Sequence, residues 1–402
     1  MVEKRQLSPA VLLGISFFSF IAIGMPGGIL NIAWTYMQDT FHVSLESLGV
    51  LLSAGTFGYL ISAFTSGRLS AAIGLGYFLV LGASCEVIGI LVIMTVPSWE
   101  MLLMGAMVMS FGGGMIDAGM NTFVSSRYSA GPLNWLHAFF GIGLTFGPPL
   151  VTFIVVAQGQ SWRLSYLALL AVHGTLALIF LLTRNQWEAD PQTDVTDEPT
   201  PRRLPAASIR ETLKIPAVLL SMALLFTYAG LEVGGGQLTN TLFIDSRGIS
   251  QETASFWISF YWASFTIGRM IMGSIAGRFQ NSTLMRLSMS GTVVGALLLT
   301  VNLSNELGFL GLAILGFAQA PMFAIVIAET PRRAGPRFAA NAIGFQIGFA
   351  GMGGALLPGL AGLLTVPLGL ESIGPFLLAL AVIMFVLHEA LLRREVRAVA
   401  LA

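Results

Sequence analysis

The chain has too little charge for a soluble domain of its length: of 402 residues, 20 are Lys or Arg and 20 are Asp or Glu, or 10%, against about 25% in ordinary soluble proteins. The two signs cancel and the bases are scattered, so nothing points to nucleic acid as a partner. One cysteine, Cys85, lies inside an apolar run; it excludes an intramolecular disulfide and leaves no thiolate pair to hold a metal. There are four histidines and no nucleophile-and-base spacing or phosphate loop, so the chain does not read as an enzyme and calls for no cofactor or metal.

What it has instead is 55% hydrophobic residues and 46 glycines. Measured against the roughly 20 apolar residues that cross a bilayer, the sequence predicts an all-α polytopic membrane protein with twelve spans. These lie near 10–36, 47–66, 75–95, 101–124, 135–157, 165–183, 215–242, 252–275, 284–303, 308–329, 339–365 and 372–392. The first apolar stretch follows Lys4 and Arg5 but is too long for a signal peptide and lacks a small-residue cleavage pattern, so it is read as an uncleaved span.

Arg and Lys in the short loops set the orientation. With both termini cytoplasmic, Arg68, Arg127, Arg278, Arg286, Arg332 and Arg333 fall inside; Arg163 and Arg247 fall outside, and Arg269 lies within a span. The expected location is a plasma membrane, of the bacterial inner type, crossed many times. The long polar segment 184–214, rich in Pro, Asp, Thr and Arg, reads as a flexible cytoplasmic linker between an N-terminal half, 1–183, and a C-terminal half, 215–402. The halves echo each other: Gly58, Gly67 and Arg68 recur at the same spacing as Gly268, Gly277 and Arg278, and the glycine-rich span five, ending at Pro148 and Pro149, is matched by Gly348, Gly351, Gly353 and Gly354 running to Pro358.

Three spans carry acids where a charge is expensive, and two of them read as functional. Asp117 sits among Gly112, Gly113, Gly114 and Gly119 in the fourth span, with Asn121 one turn on and hence on the same face. A lone carboxylate at that depth costs several kcal/mol unless it is protonated, paired or facing water, so it reads first as functional. Its bland alternative is a structural ion pair, with Arg269 as the natural base. Glu232, beside Gly234, Gly235 and Gly236, is the second such acid. Glu86 in the third span reads as a structural hydrogen-bonding partner, and His173 and His388 as incidental.

Two six-span repeats joined by a cytoplasmic loop resemble the plan of the major facilitator superfamily. The family signature after the second span, Gly-x-Leu-Ala-Asp-Arg-x-Gly-Arg, is met here by Gly67-Arg68-Leu69-Ser70-Ala71-Ala72-Ile73-Gly74, which lacks the acid and the later base. The order of polar residues is similar to the fucose permease and glucose/galactose transporter branch of proton- or sodium-coupled sugar symporters. The matching stretches are Asp117 with Asn121, Leu133-Asn134-Trp135-Leu136-His137 before Gly141 and Gly143, and Tyr228-Ala229-Gly230-Leu231-Glu232. Where that branch has an acid in its first span, this chain has Asn31.

The resemblance implies a proton-coupled symporter of a hexose or deoxyhexose, working by alternating access as a monomer in the lipid bilayer, with Asp117, Glu232 and His137 in proton coupling. Asn31, Trp34, Asn121, Gln237, Trp262 and Gln346 are the expected sugar contacts, with Trp257 and Tyr261 as further stacking faces. Two alternatives stay open at this level: sodium-coupled sugar uptake, since carboxylate and amide oxygens also suit that ion, and a proton-coupled antiporter exporting a drug or metabolite. For the antiporter, Gly143-Leu144-Thr145-Phe146-Gly147-Pro148 matches the core of an antiporter signature that this sugar branch shares.

Overall fold

The structure, a computed structural model, describes residues 7–43, 47–187 and 207–400, and every regular element among them is helical. Fourteen α-helices follow in chain order. Six make the first set: α1 (Pro9–Phe41), α2 (Ser47–Ile73), α3 (Leu75–Thr95), α4 (Trp99–Arg127), α5 (Ala130–Val151) and α6 (Arg163–Thr183). After the short α7 (Ile209–Thr212) come α8 (Pro216–Thr241), α9 (Gln251–Ile275), α10 (Asn281–Val301), α11 (Asn305–Gln319), α12 (Met322–Ala334), α13 (Pro336–Leu368) and α14 (Ile373–Ala400). Most of the expected linker, 188–206, with Arg202 and Arg203, lies outside the described residues, as do Lys4 and Arg5.

Among the described residues eleven stretches are long and apolar enough to cross a membrane. One of them, Asn305–Ala334, joins α11 and α12; the helix is interrupted at Pro321, whose missing N–H cannot continue the backbone ladder. The eighth expected span is α9, a helix of 25 residues that carries Arg269 and is not among those eleven. Large apolar side chains stand on the outside, Leu182, Leu287, Leu303 and Val366 each at least 70% exposed. Water would not tolerate such a surface, and lipid requires it.

Two compact units divide the described chain. One comprises Met1–Arg127, Leu136–Ser208 and Pro336–Gly344; the other comprises Tyr128–Trp135, Ile209–Gly335 and Phe345–Ala402. The first holds an apolar cluster around Ile29, Met37, Ile90, Leu102 and Trp162. The second holds one around Leu231, Phe243, Leu299, Leu312 and Leu377.

The internal echo has a physical meaning at some positions and not at others. Gly58 of α2 lies against the Met107 carbonyl of α4, and Gly268 of α9 lies against Ala320 and the Phe317 carbonyl. Span five and span eleven are likewise matched: Gly143 of α5 meets the Ile21 carbonyl of α1, and Gly353 of α13 meets the Phe226 carbonyl of α8. In each unit the glycine lets two backbones approach where apolar attraction offers no drive and only close packing does. Gly67 and Gly277 differ. A Cβ on Gly67 would strike the backbone of Asn341, whereas one on Gly277 would meet nothing within 4 Å.

The two arginines that break the inside rule share a task. Arg163 Nη1 donates to the Ile93 and Met94 carbonyls at 3.1 and 2.8 Å, and its Nη2 to Val96 at 3.0 Å, closing the end of α3. Arg247 Nη2 donates to the Leu299 carbonyl of α10 at 2.8 Å and to Glu371 at 2.8 Å. Each satisfies orphan carbonyls at a helix C-terminus, where the dipole also favours a cation.

Candidate functional site

The acid of the fourth span is the hub of a buried hydrogen-bonded chain. Asn121 Nδ2 donates to Asp117 Oδ1 at 2.7 Å and to the Asp117 carbonyl at 3.0 Å, the contact their one-turn spacing on α4 dictates. The Tyr59 hydroxyl of α2 donates to the other oxygen, Asp117 Oδ2. Gly114 makes that reach possible, because a Cβ there would collide with Ser62 and Tyr59. From α5, His137 Nε2 lies 3.3 Å from Asn121 Oδ1. The amide nitrogen already serves Asp117, so its oxygen must accept, and the proton of the imidazole sits on Nε2. Phe20 of α1 meets the same ring edge-on, with centroids 5.2 Å apart. Asp117 is 8% exposed and Asn121 fully buried.

Two of these hydrogen bonds end on the carboxyl group, one on each oxygen. Both oxygens accept, which suits a carboxylate with no cation beside it among the described residues: hydrogen bonds take the place of an ion pair. Arg269, the base expected to pair with Asp117 in the structural alternative, belongs to Glu232 instead, with Nη2 and Oε1 3.8 Å apart.

Glu232 and Arg269 sit in the second unit with side chains 18% and 13% exposed. The Tyr261 hydroxyl of α9 donates to the Glu232 carbonyl at 2.8 Å, and Gln319 Nε2 of α11 donates to the Leu315 carbonyl at 3.0 Å and reaches the Tyr261 oxygen at 3.5 Å. The Arg269 guanidinium lies over the Phe265 ring at 4.0 Å. Tyr228, one turn before Glu232, buries its hydroxyl and turns it toward the carboxyl group of that acid.

The remaining expected contacts do not converge on either acid. Gln346 is buried and accepts from Thr330 Oγ1 at 2.9 Å. Gln237 is exposed on α8. Trp262, 38% exposed, lies over Gly236 and edge-on to Tyr261, at the margin of the Glu232 cluster. Trp34 packs in the apolar cluster of the first unit against Trp99, with its indole N–H unpartnered. Asn31 lies in α1 and its side chain is outside the described residues. Tyr261 is fully buried with its hydroxyl engaged, and Trp257 has one face stacked on Phe309 at 4.8 Å. His173 is not incidental. Its Nδ1 reaches the Leu169 carbonyl at 2.9 Å and its Nε2 lies 3.6 Å from Glu86, joining α6 to α3 through a fully buried pair.

Three members of these clusters escaped the sequence: Tyr59, Gln319 and Arg269 in its actual pairing. A signal existed for Tyr59, a hydroxyl-bearing aromatic far from either end of a span and preceded by Gly58. It reads from sequence as one more apolar ring.

The sequence profile of the Major Facilitator Superfamily matches residues 12–301 and, overlapping them, 233–400. The chain is 20% identical to the glucose/mannose transporter GlcP of Bacillus subtilis over 337 residues, 80% of each protein. It is 21% identical to Bypass of stop codon protein 6 of Saccharomyces cerevisiae over 401 residues, covering 92% of this chain and 80% of that one. Among solved structures it is similar to the transporter FucP in its outward conformation, with a TM-score of 0.80 at 16% identity, covering 95% of this chain and 98% of that one; at that identity the likeness carries the fold alone. A profile that spans both sets of helices, and a helical plan shared along nearly the whole length, lead to one conclusion: the chain belongs to the major facilitator superfamily.

Proposed function

We propose that the chain is a secondary transporter that carries a sugar of hexose or deoxyhexose size together with a proton, alternating its access between the two faces of a plasma membrane with both termini cytoplasmic. One observation carries this reading: Asp117, buried within a membrane span, is held by Tyr59 and Asn121 and, among the described residues, by no cation. Such a group is a proton carrier rather than half of a structural ion pair. GlcP, named for glucose and mannose, supports a sugar as the cargo.

The hydrogen bonds select the oxygen that takes the proton. Asn121 Nδ2 can only donate, so Oδ1 must remain an acceptor. A hydroxyl both donates and accepts, so Tyr59 can turn and receive a bond from a protonated Oδ2. The proton therefore enters at Oδ2 and removes the cost of carrying a bare charge through the reorienting state. His137 acts through Asn121, fixing the amide's orientation. Release of the proton on the other side restores the arrangement described above.

The test is external pH in lightly buffered cells overexpressing the protein, pulsed with a panel of hexoses, deoxyhexoses, amino sugars and sugar acids. Alkalinisation on addition of one sugar, absent in Asp117→Asn, is the expected result. Silence across the panel, with the protein confirmed in the membrane, overturns the proposal and directs attention to sodium coupling or to export of another solute.

A further inference from the structure

Arg269 is a poorly satisfied guanidinium. Within a span, 13% exposed, it has one ionic partner, Glu232, at 3.8 Å, beyond hydrogen-bond reach, and one further contact, the face of Phe265 at 4.0 Å. Among the described residues none of its five N–H donors makes a hydrogen bond, although a paired arginine ordinarily closes a fork of two on its carboxylate. In the same cluster the Tyr228 hydroxyl is turned toward the Glu232 carboxyl group, and Gln319 Oε1 is buried with no hydrogen-bond partner among the described residues. Among the described residues the elements around the cluster supply these charged and polar groups: Glu232 and Tyr228 from α8, Arg269 and Tyr261 from α9, and the Gln319 amide from α11. The neighbouring residues Phe323 of α12 and Leu377 of α14 are apolar.

Resting on the symport reading above, we propose that Arg269 binds a carboxylate of the substrate, so that the cargo is an acidic sugar, a hexuronate or aldonate, and that Glu232 takes up one proton as that carboxylate arrives. The planar fork of a guanidinium matches a carboxylate edge with two parallel bonds, and the Tyr228 hydroxyl stands ready as a further donor.

Charge accounting selects a monoanion. Without substrate, ionised Glu232 and Arg269 sum to zero. A substrate carboxylate added to that pair leaves one uncompensated negative charge within the membrane, a costly state. If a proton from the entry side forms an O–H bond on Glu232, the sum returns to zero, with Arg269 now paired to the substrate. Release reverses both steps. A phosphate dianion would leave a net negative charge even then. With the proton on Asp117, each acidic sugar travels with two protons.

The experiment uses the full chain in proteoliposomes under an inward proton gradient, with labelled D-glucuronate, D-galacturonate, D-gluconate and D-glucose. The wild type is expected to take up at least one of the acids tenfold or more faster than glucose, with two protons each. Glu232→Gln should move one proton fewer per acid, and Arg269→Gln should lose at least tenfold of acid uptake, with Arg269→Lys partly restoring it. If the Arg269 variants fail to insert, competition on the wild type decides: the acid must inhibit at least tenfold more strongly than glucose. Glucose carried with protons while all three acids are ignored overturns this inference and leaves the symport reading intact. No uptake of any of the four overturns both.

Discussion

Gly67 and Gly277 occupy the same place in the repeated motif, yet replacing each with alanine should have opposite effects. Gly67 is buried on α2, and an added Cβ would sit 2.5 Å from the backbone nitrogen of Asn341 and 2.6 Å from its Cα. Backbone cannot swing aside as a side chain can, so α2 and the start of α13 must separate, at the roughly 1–3 kcal/mol typical of overpacking. Gly277 is exposed, has ordinary negative φ, and a Cβ there meets nothing within 4 Å. Alanine should stabilise that site by about 0.4–1 kcal/mol by restricting the unfolded chain. The two variants should differ by about 1.5–4 kcal/mol, or about 2–8 °C in apparent Tm if a chain of this size moves roughly 1–2 °C per kcal/mol. Thermal unfolding in detergent, followed by retention on size exclusion, measures the difference. Truncating Asn341 should rescue Gly67→Ala only in part, because backbone atoms remain in the way. Equal Tm shifts for both variants would refute the reasoning and return the pair to the equivalence the sequence suggests.

Other outcomes follow from the same geometry. Tyr59→Phe removes a hydrogen bond to a carboxylate, about 1.5–3 kcal/mol; net proton-coupled uptake should fall at least tenfold while sugar counterflow across the membrane persists, and unchanged net uptake would remove Tyr59 from the mechanism. Arg163→Ala opens three carbonyls at the end of α3. It should cost about 1–2 kcal/mol after solvent screening, read as a lower Tm with the proton-to-sugar ratio unchanged. Glu86→Gln keeps a group that can accept from His173 and should leave sugar-driven alkalinisation in place; its loss would make the Glu86–His173 pair part of the coupling machinery.

The helices were legible because their signal is composition over about 20 residues, which loop detail does not disturb. Only α9 blurs, since Arg269 lowers its apolar character. The core of the first cluster was legible too. Asp117 and Asn121 announce themselves by one-turn spacing, and His137 by its place in a glycine-rich helix. What stayed hidden depends on the approach of helices far apart in sequence. Tyr59 reaches Asp117 because Gly114 lets α2 close on α4, and no local pattern states which face of α2 that will be. The structural alternative for Asp117 paired Arg269 with that acid, whereas it meets Glu232, for a related reason: sequence supplies a list of charges, and only packing says which pair meets. Tyr261 shows a third limit, because burial rather than residue type decides whether an aromatic face is free to stack.

The central claim is that Asp117 carries the coupling proton, and the most direct measurement compares Asp117→Asn with the wild type in proteoliposomes, reading pH-gradient-driven accumulation and sugar counterflow side by side. The amide cannot cycle a proton, so the account predicts that accumulation against a gradient is abolished while counterflow continues. If an imposed pH gradient still drives Asp117→Asn to concentrate the sugar with protons moving alongside, Asp117 is not the carrier.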